Sequence, residues 1–417
     1  MVKAAALYIV IIVSLLIAVI SASLLSIAFY YRQEVLKKAR FDRLSLNLES
    51  ATAILLSEGF AVGQKNQLLD LFEEGTDSVR LSKLDWGVFH VQAIQAFEGR
   101  DTLSRSFFSA ARYSDTHVLY LADEDRPLSL SGSTQLTGDA QIPKSGLKQA
   151  YVDGKPYEAK ELIKGKTSDS ARELPVLDEA LIEGILSYLE PGGEVLEDRL
   201  PFKVRDSLIH SFFKPVLVYQ LSKDQQDLAN LSIRGNVILV SDTVLHIAAS
   251  AVLEDVQIYA QGIVVEEDFR GSCQLFARDS IMIDKGCRFD YPSFAGVFKS
   301  EESKIQSKIS LADEVQFAGL LLSYEKKRSD LQTIISLGKD GLVTGEVFAT
   351  GYLKLARSAK VHGKVTAKRF IMQTPATLYE NYLIDITLNR KLLSAYYLSP
   401  FIFKRDAQEQ KVLKWLH

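Results

Sequence analysis

The sequence is poor in the residues on which most enzymes and disulfide-bonded proteins depend. Among 417 residues there are two cysteines, six histidines, two tryptophans and three methionines. Cys273 and Cys287 alone build neither a disulfide framework nor a closed zinc site, which takes about four ligands, and both are expected as small core residues. His90, His117, His210, His246, His362 and His417 are scattered without metal-ligand spacing. HExxH, GxSxG, P-loop and dinucleotide-binding motifs are all missing. An excess of one charge is missing too. Lys and Arg number 49 against 52 Asp and Glu, with no basic block of the kind that neutralises a phosphate backbone, so nucleic acid is not an expected partner. The chain is therefore read as non-catalytic, with no catalytic, cofactor-binding or metal-binding residue assigned and no cofactor expected.

What is present begins with an apolar run. Ala4 to Tyr31 reads AAALYIVIIVSLLIAVISASLLSIAFYY, without charge or proline. At ~1.5 Å per residue a helix of this length exceeds a ~30 Å hydrocarbon core. A transmembrane helix is expected, touching membrane lipid through residues 4–31. Ser21-Ala22-Ser23 matches the small-residue part of a signal-peptide cleavage site, but the apolar run continues through Leu24, Leu25 and Ile27 to Phe29, so the anchor is expected to be retained. Only the amino terminus and Lys3 precede the span, whereas Arg32, Lys37, Lys38, Arg40 and Arg43 follow it. That flank favours a cytoplasmic body by the positive-inside rule.

Past the span, Val35, Leu36, Ala39, Leu44, Leu48, Ala51 and Leu55 recur mainly at intervals of three and four, and Gly59 is the expected stop. A helix half in the membrane and half amphipathic resembles the N-terminal helix of type IV pilins and type II secretion pseudopilins. The resemblance covers about the first sixty residues. It implies a pilus-like or secretion-like envelope component, with an extracytoplasmic body and partner subunits bearing similar helices. Neither a Gly-Phe processing site after a basic leader nor a glutamate near the start of the run is present. An ordinary signal anchor with a helical stalk stays open as the other reading of these residues.

The remainder reads as mainly β. Trp86 to Ala110 alternates and is cut by Glu98-Gly99-Arg100-Asp101, which predicts two strands and a tight turn. From His117 to Pro143, Leu128, Leu130, Leu136, Ala140 and Ile142 alternate with polar residues, which fits either coils of a solenoid or a sheet layer. Leu177 to Leu189 is helix-like and Pro191-Gly192-Gly193 ends it. Repeats follow. Val256-Gln-Ile-Tyr-Ala260 returns as Cys273-Gln-Leu-Phe-Ala277, Ile263-Val-Val-Glu266 as Ile281-Met-Ile-Asp284, and Val343-Thr-Gly-Glu-Val-Phe-Ala349 as Val361-His-Gly-Lys-Val-Thr-Ala367. Leu353 and Leu355 match Ile371 and its neighbours at a similar spacing.

Offsets of 17 and 18 residues suit three short strands per coil, with coils stacked ~4.8 Å apart, Val, Val and Ala pointing inward and glycine at a corner. The fold class expected is an N-terminal transmembrane and amphipathic helix followed by a β-rich body that contains a right-handed parallel β-helix with coils of about 17–18 residues. The GlyxValxAla repeats resemble those of bactofilins over Gly341 to Met372, which implies a polymer-forming scaffold facing the cytoplasm.

The domains expected are 1–31 anchor, 32–60 amphipathic helix or stalk, 75–167 β-rich subdomain, 168–225 helical insertion or boundary, 226–374 parallel β-helix and 375–417 C-terminal cap. Tyr291 to Leu337 is read as excursions from the coil, with charged loops at 299–304 and 324–330. Seventeen tyrosines and twenty-one phenylalanines are expected mostly in the core or the cap. A carbohydrate-active enzyme is the least favoured class. It would use Glu266, Glu267, Asp268, Asp279 and Asp284 as a carboxylate groove, but solvent-facing corners of any solenoid carry such residues. The reading is a membrane-anchored structural or assembly component of a bacterial envelope, in the inner membrane with its body outside the cytoplasm, associating with itself or with protein partners.

Overall fold

The computed structural model describes residues 2–73, 75–190, 199–202, 206–300, 303–373, 377–404 and 409–416, with side chains from residue 6 onward. The chain is mainly β with one long apolar helix at its N-terminus. It divides into two compact units, residues 1–84 with 92–106, and residues 85–91 with 107–417.

In the first unit, helix α1 runs unbroken over Val2–Leu56. No glycine occurs before Gly59 and no proline before Pro127, so nothing interrupts the hydrogen-bond ladder over about 82 Å. The apolar stripe is buried from Leu44 onward, at Leu44, Leu48, Ala51 and Leu55, while Val35, Leu36 and Ala39 are exposed. The expected stripe is therefore shorter than its periodicity, because intramolecular cover starts only around residue 44. Arg40 pairs with Asp101 at 2.8 Å and Arg43 with Glu98 at 3.1 Å where the cover begins. The helix stops three residues ahead of Gly59. There the Ser57 hydroxyl donates to the Ile54 carbonyl, and the buried Lys83 ammonium donates to the Leu55 and Phe60 carbonyls at 3.1 Å each. Strand Gln64–Leu69 pairs antiparallel with Ser78–Trp86. Strands Phe89–Glu98 and Asp101–Arg112 meet at Gly99-Arg100, where the sequence places the turn, with Gly99 at φ +60°. The boundary between the units crosses these strands.

The second unit is built from three parallel ladders. One joins 217–221, 237–241, 256–260, 273–277, 293–299, 319–325, 345–349 and 363–367. A second joins 244–247, 262–265, 280–283, 308–311, 334–337, 352–355 and 369–371. A third joins 207–210, 232–235, 252–254, 270–272, 288–289, 316–318, 342–344 and 360–362. The sheet closes on itself. The repeats fall in register residue for residue: Val256 opposite Cys273, Ile263 opposite Ile281 and Val343 opposite Val361. At the last match the pairing is Leu353 with Phe370 and Lys354 with Ile371, because a bulge after Ala349 moves it by one.

Tyr291 to Leu337 is more regular than expected. Phe289 pairs with Phe317 and Phe317 with Val343, so this stretch carries ladder strands, with irregular segments at 303–307 and 326–333. The ladders also continue beyond the segment expected to cap them. Val361 pairs with Leu388, and Leu388 with Leu136; Val365 pairs with Leu119, Leu119 with Ala140, and Ala140 with Thr167. The segment 117–169 thus extends the stack past residues 387–389. The alternating Leu128, Leu130, Leu136, Ala140 and Ile142 are all buried. Residues 410–416 instead form a strand in the sheet order of the Asp101–Arg112 strand.

Two layers of side chains fill this unit. Inward on the first ladder lie Ile258, Ala260, Leu275, Ala277, Val347, Ala349, Val365 and Ala367, within one continuous core. On the opposite side lie Tyr259, Phe276, Phe294, Phe298 and Phe348, also buried. The ring of Tyr259 stacks on Phe276 at 4.4 Å, and Phe276 meets Phe294 at 4.9 Å. Helix α2 (Glu179–Leu189) contributes to covering that side, with Tyr188 stacked on Tyr259 at 4.8 Å. Asp178 caps it by accepting from the Leu181 amide. Burial on both sides explains apolar runs such as Leu320-Leu321-Leu322, which parallel sheets favour over alternation. The helix expected over 177–189 is thus present, while the proposed Pro191–Gly193 stop lies outside the described residues.

Candidate functional site

Corners with positive φ recur in the second unit, and Asp268 is one of them. At successive positions along the stack one residue turns the chain with positive φ: Asp268 (+63°), Gly286 (+73°), Glu314 (+62°), Asp340 (+56°), Ser358 (+66°) and Asp385 (+55°). These corners stack by backbone hydrogen bonds. The Asp268 amide donates to the Lys285 carbonyl, Gly286 to Asp313, Glu314 to Lys339, and Ser358 to Asp385. Asp tolerates the left-handed region better than most side chains, and a corner exposed to water suits its charge.

Of the five candidate carboxylates, Glu266, Glu267 and Asp268 share one exposed turn, and Asp284 stands beside it, its amide bonded to the Val265 carbonyl. Asp279 lies at the other end of strand segment 280–283, where its carboxylate accepts from the Gln261 amide at 2.9 Å. The five are not brought to one point. Among the described residues, no group of three or more His, Cys, Asp or Glu is arranged to hold a metal ion.

Each described histidine is held locally or lies open. His90 stacks on Phe401 at 3.8 Å and stands 3.3 Å from Asp85. His117 Nδ1 is 2.6 Å from Asp115, and His210 Nε2 is 2.8 Å from the Pro215 carbonyl. His246 is half-buried on a strand. Burial first, and then Lys360, push the His362 imidazole below its ordinary value. His417 lies outside the described residues. Cys273 and Cys287 are buried free thiols within the core. Burial pushes them up to about 12 and about 11 respectively, which leaves little thiolate at neutral pH.

Sequence reasoning missed two polar clusters, both built from distant residues. Glu346 is buried on the aromatic side of the first ladder, where its carboxylate accepts from the Ser399 hydroxyl at 2.6 Å and the Tyr397 hydroxyl at 3.3 Å. Tyr291 exchanges hydrogen bonds with the Leu398 backbone, at 2.8 Å and 3.1 Å. Together these fasten residues 397–399 onto the ladder. The second cluster is a chain of ions in which Arg328 and Arg369 both pair with Glu124, and Arg369 and Arg126 both pair with Glu380. Burial pushes the Glu124 carboxyl up, but Arg369, Arg328 and Lys368 outweigh it and hold the group below its ordinary value. Only the acid and base identities are visible in the sequence, since Glu124 and Arg369 stand 245 residues apart.

The other conspicuous surface is α1 itself. From Leu7 to Tyr31 its large apolar side chains are exposed, among them Tyr8, Leu15, Leu25, Tyr30 and Tyr31. The helix is long and apolar enough to cross a membrane.

No family model matches the chain, and no curated protein matches it. Among solved structures, the competence-associated pilin ComZ from Thermus thermophilus aligns over 85% of this chain and 86% of its own, at 7% identity and a TM-score of 0.21. A likeness that low carries no argument about fold or role.

Proposed function

We propose that the protein is a single-pass, membrane-anchored, non-catalytic component of a bacterial envelope assembly. In this reading its body lies outside the cytoplasm, and its three parallel ladders form the faces of a right-handed parallel β-helix. The observation that carries the reading is the bare apolar helix, exposed from Leu7 to Tyr31 and followed in the same chain by a parallel β stack. An exposed apolar surface the length of a bilayer needs lipid around it. Acidic residues used as corner pieces have a structural reason that does not invoke chemistry. The stack offers a long, stiff surface suited to holding partners or to self-association.

A second reading keeps the anchor and turns the body towards the cytoplasm as a bactofilin-like polymerising scaffold. The cations that follow the span favour it. Impermeant maleimide applied to Lys326→Cys separates the two, because Lys326 is exposed whereas the two native thiols are buried and weakly ionised. Labelling in intact spheroplasts is expected. Labelling only after lysis would overturn the extracytoplasmic reading and leave the scaffold.

A further inference from the structure

We infer that Arg32, Lys37 and Lys38 form a collar that binds the phosphates of anionic phospholipids at the edge of the bilayer. This rests on reading α1 as a membrane span. Tyrosines stand at two levels on the helix. Tyr8 and Tyr30 are both exposed and separated by 22 residues, about 33 Å at 1.5 Å per residue, close to the thickness of a hydrocarbon core. Aromatic side chains collect at the two bilayer interfaces. Phe29, Tyr30 and Tyr31, exposed on consecutive positions and so pointing about 100° apart, mark one interface over about 200° of the helix circumference.

The five cations after this belt fall into two groups. Arg40 and Arg43 are engaged by Asp101 and Glu98. Arg32, Lys37 and Lys38 are exposed and have no ion-pair partner among the described residues. At about 100° per residue they are spread around the axis at intervals of about 140°, 100° and 120°. A protein docking on one side of the helix would reach one or two of them, whereas a ring of lipid reaches all three. Their height fits as well. Arg32 adjoins the belt, and Lys38 stands about 10 Å beyond Tyr31, within the reach of a membrane's surface potential and of a side chain that bends back towards it. Glu34 is the one acid among residues 32–38, so the segment keeps a net charge of +2. The chain therefore holds two cations for its own fold and leaves three facing headgroups.

The test uses the full chain reconstituted in phosphatidylcholine vesicles carrying trace spin-labelled phosphatidylglycerol or spin-labelled phosphatidylcholine, and reads the motionally restricted fraction of each label. The expected result is a preference for phosphatidylglycerol of about threefold or more at low salt, falling towards parity in high salt. Arg32→Gln/Lys37→Gln/Lys38→Gln should abolish it, and Arg40→Gln/Arg43→Gln should retain it. Equal restriction of the two lipids by the unaltered chain, or a preference that survives the triple substitution, would overturn the collar. Failure of the protein to float with the vesicles after a carbonate wash would instead overturn the membrane span on which the collar depends.

Discussion

Gly319, Gly345 and Gly363 stack at one corner with φ of +144°, +140° and +153°. A Cβ on Gly345 would meet the carbonyl oxygen of Gly319, and one on Gly363 that of Gly345. Gly345→Ala is expected to cost about 2–4 kcal/mol, from backbone strain and from the clash together. Denaturant melts will read it, and Thr344→Ala serves as a control. This corner was legible in the sequence because one residue type alone tolerates it, and the V-x-G-x-V-x-A repeat carries it openly. The opposite corner was not legible. Asp, Glu, Ser and Gly all occupy it, so no letter repeats although the conformation does. Lys83 supplies a second test. Burial lowers its ammonium to about 8, so between about pH 8 and the ordinary lysine value the unfolded chain binds more protons than the folded one. Stability of the first unit is expected to rise with pH across that window. In Lys83→Met that rise should disappear from thermal melts.

Elements were read from the sequence best where their strands had one exposed side or a strict repeat. The strands over 89–98 and 101–112, the helix over 179–189 and the register of 256–265 on 273–283 all follow from pattern. The strands between 308 and 337 were hidden because longer connections separate them, so Phe289, Phe317 and Val343 stand at spacings unlike their neighbours'. The aromatic layer was missed as a layer, since Tyr259, Phe276 and Phe294 become a stack only once the register is known. Phe276→Ala, at the middle of that stack, is expected to cost about 3–5 kcal/mol in chemical unfolding. The ion chain binds elements rather than filling them. Glu124→Gln leaves Arg369 and Arg328 without their shared carboxylate and is expected to cost about 2 kcal/mol at neutral pH. Because the carboxyl is held below its ordinary value in the fold, its contribution is present above the unfolded value and is lost as pH falls through the folded one. The difference between variant and parent should therefore shrink on acidification.

At the scale of the whole chain, periodicity says which neighbours stack and nothing about joins made across distance. Leu119 on Val365 and Leu136 on Leu388 are such joins, and no repeat announces them. A chain ending after Gln373 would lack the strands at 382–384 and 387–389 on which 129–131 and 135–137 pair. Hydrogen exchange in that truncated chain is expected to rise sharply over 129–137 while 256–355 stays protected. Equal protection over 129–137 in both chains would contradict those two pairings.

The same joins impose a schedule on biosynthesis. Leu119 and Leu136 emerge more than two hundred positions ahead of the strands that receive them, so during translation or export the segment can pair only within 117–169 and its docking on the stack must wait. The run of pairings that leads without a break towards 373 starts among residues 207–260, from which growth can proceed strand by strand. The segment made early is then laid down after 387–389 is in place, which leaves a nascent intermediate with an unfilled terminal coil for a holding chaperone to shield.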